Sequence, residues 1–416
     1  MARTMKHTWA IAVALAWIPV AEAAQPAKPS TLPDGPGKEN VEAVCTACHQ
    51  VREIQNSSGY TREGWKELFG TMIDLSGSRE VQDRILQYLA TNFPPNDKRT
   101  PKLMPGAVQV TFKEWQTPTL GQRSRDPIQA ADGTIWWAGQ WSNTIGRIDP
   151  ATGEQKEFTL PPKAMPHTVT LDAKGNVWYT GNMNGTLGYL DPRTGKITEY
   201  KIPDPEAKDP HSMIFDAKGI LWFTMQVSNR VGRFDPATRE FKIVAMSVPN
   251  SRPYGIKLGP DGAPWFACNG RGCVVRINPA TMELKEVKVP GERATVRRLD
   301  FDAEGNLWYV NSGEGRLGRY NMKSGELKEW PSPSGPRSHP YAIVVANGAI
   351  WYNESGQRPD ALVRFDPKTE TFQSWAIPSG GVHAGIVRHM RRTKDGQLLI
   401  HQSSTNRIIL VTPRGS

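Results

Sequence analysis

Three kinds of hydrophobic pattern follow one another along the 416-residue chain. The first is a single apolar run, Ala10 to Val20, preceded by Arg3 and Lys6 and followed by Ala21-Glu22-Ala23. The second has the period of an α-helix. Trp65, Leu68, Phe69 and Met72 stand at i, i+3, i+4 and i+7 and predict an amphipathic helix over 61–75. Val81, Ile85 and Leu89 make a second stripe behind Ser78, a capping residue with Glu80 in the first turn. Pro94-Pro95 stops that helix. The third pattern is alternation with a period of two, in short runs divided by Gly and Pro turns, from residue 108 to the end.

The third region repeats. Asp-x-x-Gly-x-φ-Trp-φ recurs with its tryptophan at Trp137, Trp178, Trp222, Trp265, Trp308 and Trp351, and with Leu399 in the last copy. About a dozen residues later comes Gly-Arg-φ-Asp-Pro, with turns at Asp149-Pro150, Asp191-Pro192, Asp235-Pro236 and Asp366-Pro367; Asn278-Pro279 and Asn321-Met322 are degenerate copies. The spacing of about 40 to 48 residues suits one four-stranded propeller blade per repeat. Seven first strands are visible, but the last copy stops after its third strand, Arg407 to Val411. The orphan run Val108 to Trp115 resembles a fourth strand such as Ile197-Thr198-Glu199-Tyr200. The fold expected is therefore a small all-α domain followed by an all-β seven-bladed β-propeller, closed by the N-terminal strand joining the last three.

Composition and charge add a compartment. The first apolar run is too short to span a bilayer and has the order of a signal peptide, 1–23. A Pro-, Ala- and Lys-rich leader, 24–36, reads as disordered; 37–95 is the helical domain, 96–107 a linker and 108–416 the propeller. The expected product is periplasmic or secreted, with no membrane span in the mature chain. A net charge of +10 would suit nucleic acid, but export and the absence of any nucleic-acid motif argue against that partner. An acidic redox partner protein or a small-molecule substrate suits it better.

The four cysteines form two close pairs. Cys45-Thr46-Ala47-Cys48-His49 places two thiols along one edge of a porphyrin and an imidazole beside the iron, the signature of one covalent haem c. A zinc site would need a second ligand pair, and a thioredoxin-like pair a strand-to-helix context. Cys45 and Cys48 are the attachment residues and His49 an axial ligand. Met72 is the candidate second axial ligand, against an ordinary core role, with Met104 in the linker as its rival. Cys268 and Cys273 bracket Asn-Gly-Arg-Gly, a turn that lets the thiols meet as a disulfide; two metal-ligating thiols are the alternative. The haem motif, Gly64-Trp65, Met72 and Ile85-Leu86-Gln87-Tyr88-Leu89 together resemble the cytochrome c domain of quinohaemoprotein amine dehydrogenases, over about 55 residues.

In a propeller the starts of the innermost strands and the turns between second and third strands gather at one mouth of the central channel. Aligning the seven starts gives Arg125, His167, His211, Tyr254, Arg297, Tyr341 and His383. The turns add Gln140, Asn184, Gln226, Asn269, Glu314, Glu354 and Gln402. The three histidines are candidates for a divalent metal or a general base, or else for hydrogen bonds lining a wet channel.

Pro166-His167, Pro210-His211, Leu221-Trp222-Phe223-Thr224, Val231-Gly232-Arg233-Phe234-Asp235 and Ile197-Thr198-Glu199-Tyr200 resemble the streptogramin B (virginiamycin B) lyase family over nearly all of 108–413. That resemblance implies a seven-bladed propeller. In members that are enzymes it implies elimination at a C–O bond of a cyclic depsipeptide, by a last-blade histidine base, a glutamate and magnesium. His383 takes the histidine position; Gln402 or Ser403 takes the glutamate's, with His401 beside it and Glu354 the nearest substitute. Three readings follow: an exported electron-transfer cytochrome whose propeller binds a substrate or partner, a lyase carrying an accessory haem, and a non-catalytic binding module.

Overall fold

The computed structural model describes residues 31–47, 51–56, 59–95, 99–381 and 387–415. Seven four-stranded antiparallel sheets succeed one another in chain order. Blades 1 to 6 occupy 124–159, 166–201, 210–245, 253–288, 296–331 and 340–376. Blade 7 takes Met390–Arg392, Leu398–Gln402 and Arg407–Arg414 from the C-terminus and Gln109–Gln116 from the N-terminus. The closing strand pairs with Arg407–Arg414 along its whole length, from Gln109 opposite Arg414 to Gln116 opposite Arg407. Closure removes the unpaired edge that Arg407–Arg414 would otherwise present.

Side-chain chemistry explains the repeat. Asp216 Oδ1 accepts the backbone N–H of Lys218 and Ile220, and Oδ2 accepts the indole N–H of Trp222 at 2.8 Å. Asp172 with Trp178 and Asp302 with Trp308 repeat the bond at 3.2 and 2.7 Å. One carboxylate thus folds the turn and satisfies a buried indole. The Asp-Pro turns work alike: Asp191 Oδ1 takes the N–H two residues on, and so do the amide oxygens of Asn278 and Asn321. The degenerate copies are chemically equivalent, because the turn needs only an oxygen acceptor there. The motif glycine makes room: a Cβ on Gly188 would lie 1.9 Å from the ring of Tyr179, which faces it across the sheet. In blade 1 the register pairs Trp136, not Trp137, with the inner strand at Ile128, so Trp136 is the repeat tryptophan. It stacks on Phe158 of the outer strand, as Trp178 does on Tyr200.

The helices α1 (Lys38–Cys45), α2 (Val51–Asn56), α3 (Arg62–Met72) and α4 (Arg79–Asn92) share one apolar cluster. Val41, Trp65, Leu68, Phe69, Ile85, Leu86 and Leu89 are its buried members, and Cys45 and Met72 border it. Leu32 is buried in the same cluster and Tyr88 bonds the Pro33 carbonyl. These two contacts anchor the stretch 31–36 to the helices, while residues 31 and 33–36 are exposed. The linker is also held. Arg99, Lys102, Met104 and Val108 hydrogen-bond to blade 6 and the loops beside it, with Met104 tied to Ser374. Met104 thus lies on a propeller edge, and only Met72 of the two rivals borders the helical cluster. Residues 1–23, Cys48, His49 and His383 lie outside the described residues. Among the described residues no helix is long and apolar enough to cross a membrane.

One buried imidazole locks the seam between blades 7 and 1. His401 Nε2 accepts the backbone N–H of Arg388 and His389 at 3.3 and 3.2 Å, while Nδ1 is 3.0 Å from the Ser124 carbonyl and donates to it. A proton on Nε2 would face two N–H donors, so the ring stays neutral although Asp126 lies 4.0 Å away. Burial is the main cause that pushes its pKa down to about 3.

Two outcomes are expected. Asp216→Ala leaves the Trp222 indole and two backbone donors unsatisfied and should cost about 2–3 kcal/mol in urea unfolding. For His401 the folded pKa lies below the ordinary value, so below about pH 6.5 the unfolded chain takes up a proton that the folded chain refuses. Stability should therefore drop by roughly 2–3 kcal/mol between pH 6.5 and 4.5 from this group alone. Thermal melts across that range should show the loss, and His401→Ala should be less stable at pH 7.5 but have a shallower acid slope.

Candidate functional site at the channel mouth

Every inner strand of blades 1 to 6 carries a bulge at its start. The register slips between Arg125 and Ile128, Pro166 and Val169, Pro210 and Met213, Pro253 and Ile256, Val296 and Leu299, and Pro340 and Ile343. A bulge lets two successive side chains leave the alternation and re-aims them. Each blade therefore presents a pair: Arg125-Asp126, His167-Thr168, His211-Ser212, Tyr254-Gly255, Arg297-Arg298 and Tyr341-Ala342. In blade 7, Arg391 pairs with Leu399 as Ile214 pairs with Trp222, which puts Arg388-His389 at the same position. His383 lies outside the described residues; by register, Arg388 stands three residues before the one paired with Leu399, as His211 does before the one paired with Trp222.

The first members of the pairs form a nearly continuous ring. His167 and His211 lie with ring centroids 3.6 Å apart, His211 and Tyr254 4.2 Å, and the Tyr254 and Tyr341 hydroxyls are hydrogen-bonded. Arg297 sits 4.5 Å over the Tyr341 ring and 3.4 Å from His339. Arg125 donates to Gln140 at 2.6 Å. Arg125, His167, His211, Tyr254 and Tyr341 are all buried, and Arg297 is half-buried.

The second members form a deeper layer around Asp126, a fully buried carboxylate in the left-handed region at φ 47°. Asp126 Oδ2 accepts the Thr168 hydroxyl at 2.6 Å, with His389 Nδ1 at 3.2 Å and Arg298 at 3.6 Å. Arg298 also donates to Ser212 Oγ and to the Arg388 carbonyl, tying blades 3, 5 and 7 together across the axis. Asp126, Arg298, Arg388 and His389 do not emerge when one residue per blade is aligned, and His401 emerges only beside the glutamate position. The signal that could have found them is the Arg-Asp, His-Thr, His-Ser and Arg-Arg doublet at the same place in successive repeats.

Protonation follows from burial and from the excess of guanidinium. Burial, reinforced by nearby arginines, holds His167 and His211 well below the usual imidazole range, so both are neutral at pH 7. Burial opposes the charge of Asp126, but His389, Arg298 and His167 hold its carboxyl well below the usual range. Burial also resists ionisation of Tyr341, yet Arg297, Arg388, the Tyr254 hydroxyl and Arg125 bring its pKa down to about 7. Tyr254, dominated by burial, is pushed up to about 12. Beside the undescribed stretch 382–386, Asp360 is buried, accepts the Val387 N–H, and is raised by burial to about 7.

The turn residues behave differently from the ring. Gln140 reaches the ring, but Asn184 bonds Glu199 and Thr186, and Glu314 bonds the Arg293 backbone. Both oxygens of the buried Glu354 are taken by Ser334. Glu354 is thus engaged with its own loop and supplies no carboxylate to the mouth. Among the described residues no group of three His, Cys, Asp or Glu could hold a metal ion. The Nδ1 atoms of His167 and His211 point at the neighbouring Thr168 and Ser212 hydroxyls, and Gln402 and Ser403, where the resemblance puts the glutamate, are both uncharged. The donors present do not fit magnesium, which favours carboxylate oxygen. Cys268 and Cys273 are joined as a disulfide across blade 4's inner hairpin, which leaves neither thiol for a metal.

The helical unit docks on the rim of this mouth. The Thr71 carbonyl accepts from Gly121 N–H and from the Asn406 side chain, and the Thr71 hydroxyl lies 3.3 Å from the Ser404 carbonyl. Asn406 Oδ1 in turn accepts the N–H of Arg123, two residues before Arg125. Asn406 thus links the end of α3, where Met72 follows Thr71, to the backbone of Arg123. A cavity of about 410 Å³, lined by Lys257, Asp300, Arg391 and Lys394 among others, opens around the opposite ends of the inner strands.

Comparison with known proteins agrees with this architecture. The virginiamycin B lyase from Staphylococcus aureus is 24% identical, covers 73% of this chain and 99% of its own, and superposes with a TM-score of 0.66. A streptogramin B lyase structure is 25% identical over 73% of this chain and 98% of its own, TM-score 0.66. The extracellular domain of a putative one component system from B. thetaiotaomicron shares the fold at 16% identity, covering 72% of this chain and 40% of its own, with a TM-score of 0.53. No curated protein sequence matches the chain. The virginiamycin B lyase family model matches residues 105–247 and 238–416. The chain therefore belongs to the virginiamycin B lyase family.

Proposed function

We propose that this protein is an exported c-type cytochrome of electron transfer whose propeller mouth binds the substrate or redox partner. The observation that carries this reading is the site prepared around the Cys45-to-His49 motif. Cys45 ends α1 and Met72 ends α3, and both border one apolar cluster. Trp65, 3% exposed in that cluster, has an indole N–H with no hydrogen-bond partner among the described residues. An orphaned buried donor in a cluster bordered by two ligand-type sulfurs fits an apolar group that carries acceptor oxygens, as haem does with its propionates. Cys45 and Cys48 would hold the haem covalently, His49 and Met72 would ligate its iron, and the bound group would supply one-electron exchange.

The chain's own contribution is placement. Thr71, Gly121 and Asn406 fix the end of α3 against the rim, so the group would stand beside the bound ligand. Secreted or periplasmic location suits both the motif and the extracellular solved relatives. The relatives' lyase activity is the second reading, favoured by the family. Against it stands the uncharged Gln402 or Ser403 at the position of the glutamate: neither an amide nor a hydroxyl replaces a carboxylate on magnesium.

Haem attachment is checked on a denaturing gel. Wild type should show a haem-stained band at the protein's mass and Cys45→Ser should lose it; a band unchanged in Cys45→Ser overturns the assignment. Met72→Ala should keep the stain and lower the reduction potential, since the thioether favours the ferrous state. For the lyase reading, incubation with a streptogramin B should give no ring opening above the uncatalysed rate, with or without magnesium. Magnesium-dependent opening that disappears in Tyr341→Phe would restore the lyase.

A further inference from the structure

The mouth has an imbalance of charge that its own side chains do not resolve. Arg123, Arg125, Arg297, Arg298 and Arg388 act on one another and on the tyrosine pair; among the described residues Asp126 is ion-paired with Arg298, and Asp360 and Arg388 also act on each other. The Asp126 carboxylate is used by Arg298, His389 and Thr168 in the deeper layer. In the upper ring Arg125 makes its bond to a neutral amide, and the Nε atoms of Arg125 and Arg297 are buried without a hydrogen-bond partner. Gln402, 0% exposed at the blade 7 turn, has both side-chain polar atoms unpartnered. Buried guanidinium without an anion is unfavourable unless an anion arrives.

We propose that the channel mouth is a binding site for a small organic carboxylate, held by the guanidinium groups of Arg125, Arg297 and Arg388, with Tyr254, Tyr341 and His211 as the wall for its organic part. A planar carboxylate matches the forked donors of arginine. The aromatic wall distinguishes an organic acid from a bare inorganic ion, because ring faces offer nothing to sulfate or phosphate. Arg298, paired with Asp126 and bonded to the Arg388 carbonyl, acts as a positioning residue that fixes the floor and the last-blade strand. This assignment rests on the reading of the mouth as the binding end of the protein, and it names what is bound.

The test is calorimetric titration of the purified full-length, haem-loaded protein with acetate, benzoate and succinate, and with benzamide as the uncharged analogue of benzoate. At least one carboxylate should saturate at one per chain, benzoate should bind at least tenfold tighter than benzamide, and inorganic sulfate should compete weakly. Arg388→Gln and Arg125→Gln should each weaken the best carboxylate at least tenfold, with Arg388→Lys recovering part of the loss and thermal melts confirming that each variant is folded. Should a variant not fold, Arg297→Gln, at a half-buried position, replaces it. Absence of saturation with all three carboxylates, equal affinity for benzoate and benzamide, or full affinity in the folded glutamine variants would each overturn the proposal. The haem absorption of the same samples is recorded separately: haem present without anion binding removes only this inference, and anion binding without haem removes only the cytochrome.

Discussion

The structure depends on one pairing, that of Gln109–Gln116 with Arg407–Arg414. A ring of sheets is stable only when its last blade is complete, and here the missing strand comes from the opposite end of the propeller. That choice of seam places everything that precedes residue 109. The chain from Arg99 to Val108 must approach blade 7 along blade 6, where Ser334, Gln373 and Ser374 hold it. The helices are brought to the rim between blades 7 and 1, where Asn406 bonds both Thr71 and Arg123. A closing strand taken from the C-terminus would leave the helices without this route. Ring closure and the placement of the helical unit are thus one constraint.

The second organising feature is the bulge at the start of each inner strand. Without it, strict alternation would send every second residue away from the axis. With it, the channel acquires two layers. The upper one consists of aromatic rings and guanidinium groups, and the lower one is a hydrogen-bonded knot around Asp126. In the lower layer Thr168, Arg298 and His389 surround the carboxylate, and Arg298 reaches blades 3 and 7 as well. It therefore ties blades 1, 2, 3, 5 and 7 together, and unpartnered polar atoms occur in both layers.

The fold was legible because each repeat carries its own local chemistry. Asp216 and Trp222 announce a turn and a core residue together, and the same spacing recurs at Asp172 and Asp302. Blade 1 misled because it has two adjacent tryptophans and an alanine, Ala130, where the acceptor aspartate stands elsewhere; only pairing shows that Trp136 faces the inner strand. The ring residues Arg125, His167, His211, Tyr254, Arg297 and Tyr341 were found by spacing from the repeat tryptophan. Blade 7 has Leu399 in its place and a short inner strand; the register puts Arg388 at the start of that strand, and His383 lies outside the described residues. The deeper layer was missed for a different reason. A bulge has no strong sequence signature, and Asp126 looks like an ordinary turn aspartate before Pro127 until the register is known.

The family resemblance implies a proton-accepting histidine and a metal-binding carboxylate at the last blade, a pair that favours a bound cation. In the described part of the last blade Arg388 stands at the strand start and the neutral Gln402 at the following turn, with Arg125 and Arg297 elsewhere on the ring. Tyr341 registers this positive surrounding: although burial alone would raise a phenol, the guanidinium groups bring it to about 7. The neutral histidines register it too, since a second positive charge beside Arg298 and Arg125 is unfavourable. Guanidinium groups thus add to burial in lowering the ring imidazoles, and they outweigh burial at Tyr341 though not at Tyr254. The propeller keeps the architecture of its lyase relatives around a mouth rich in guanidinium groups.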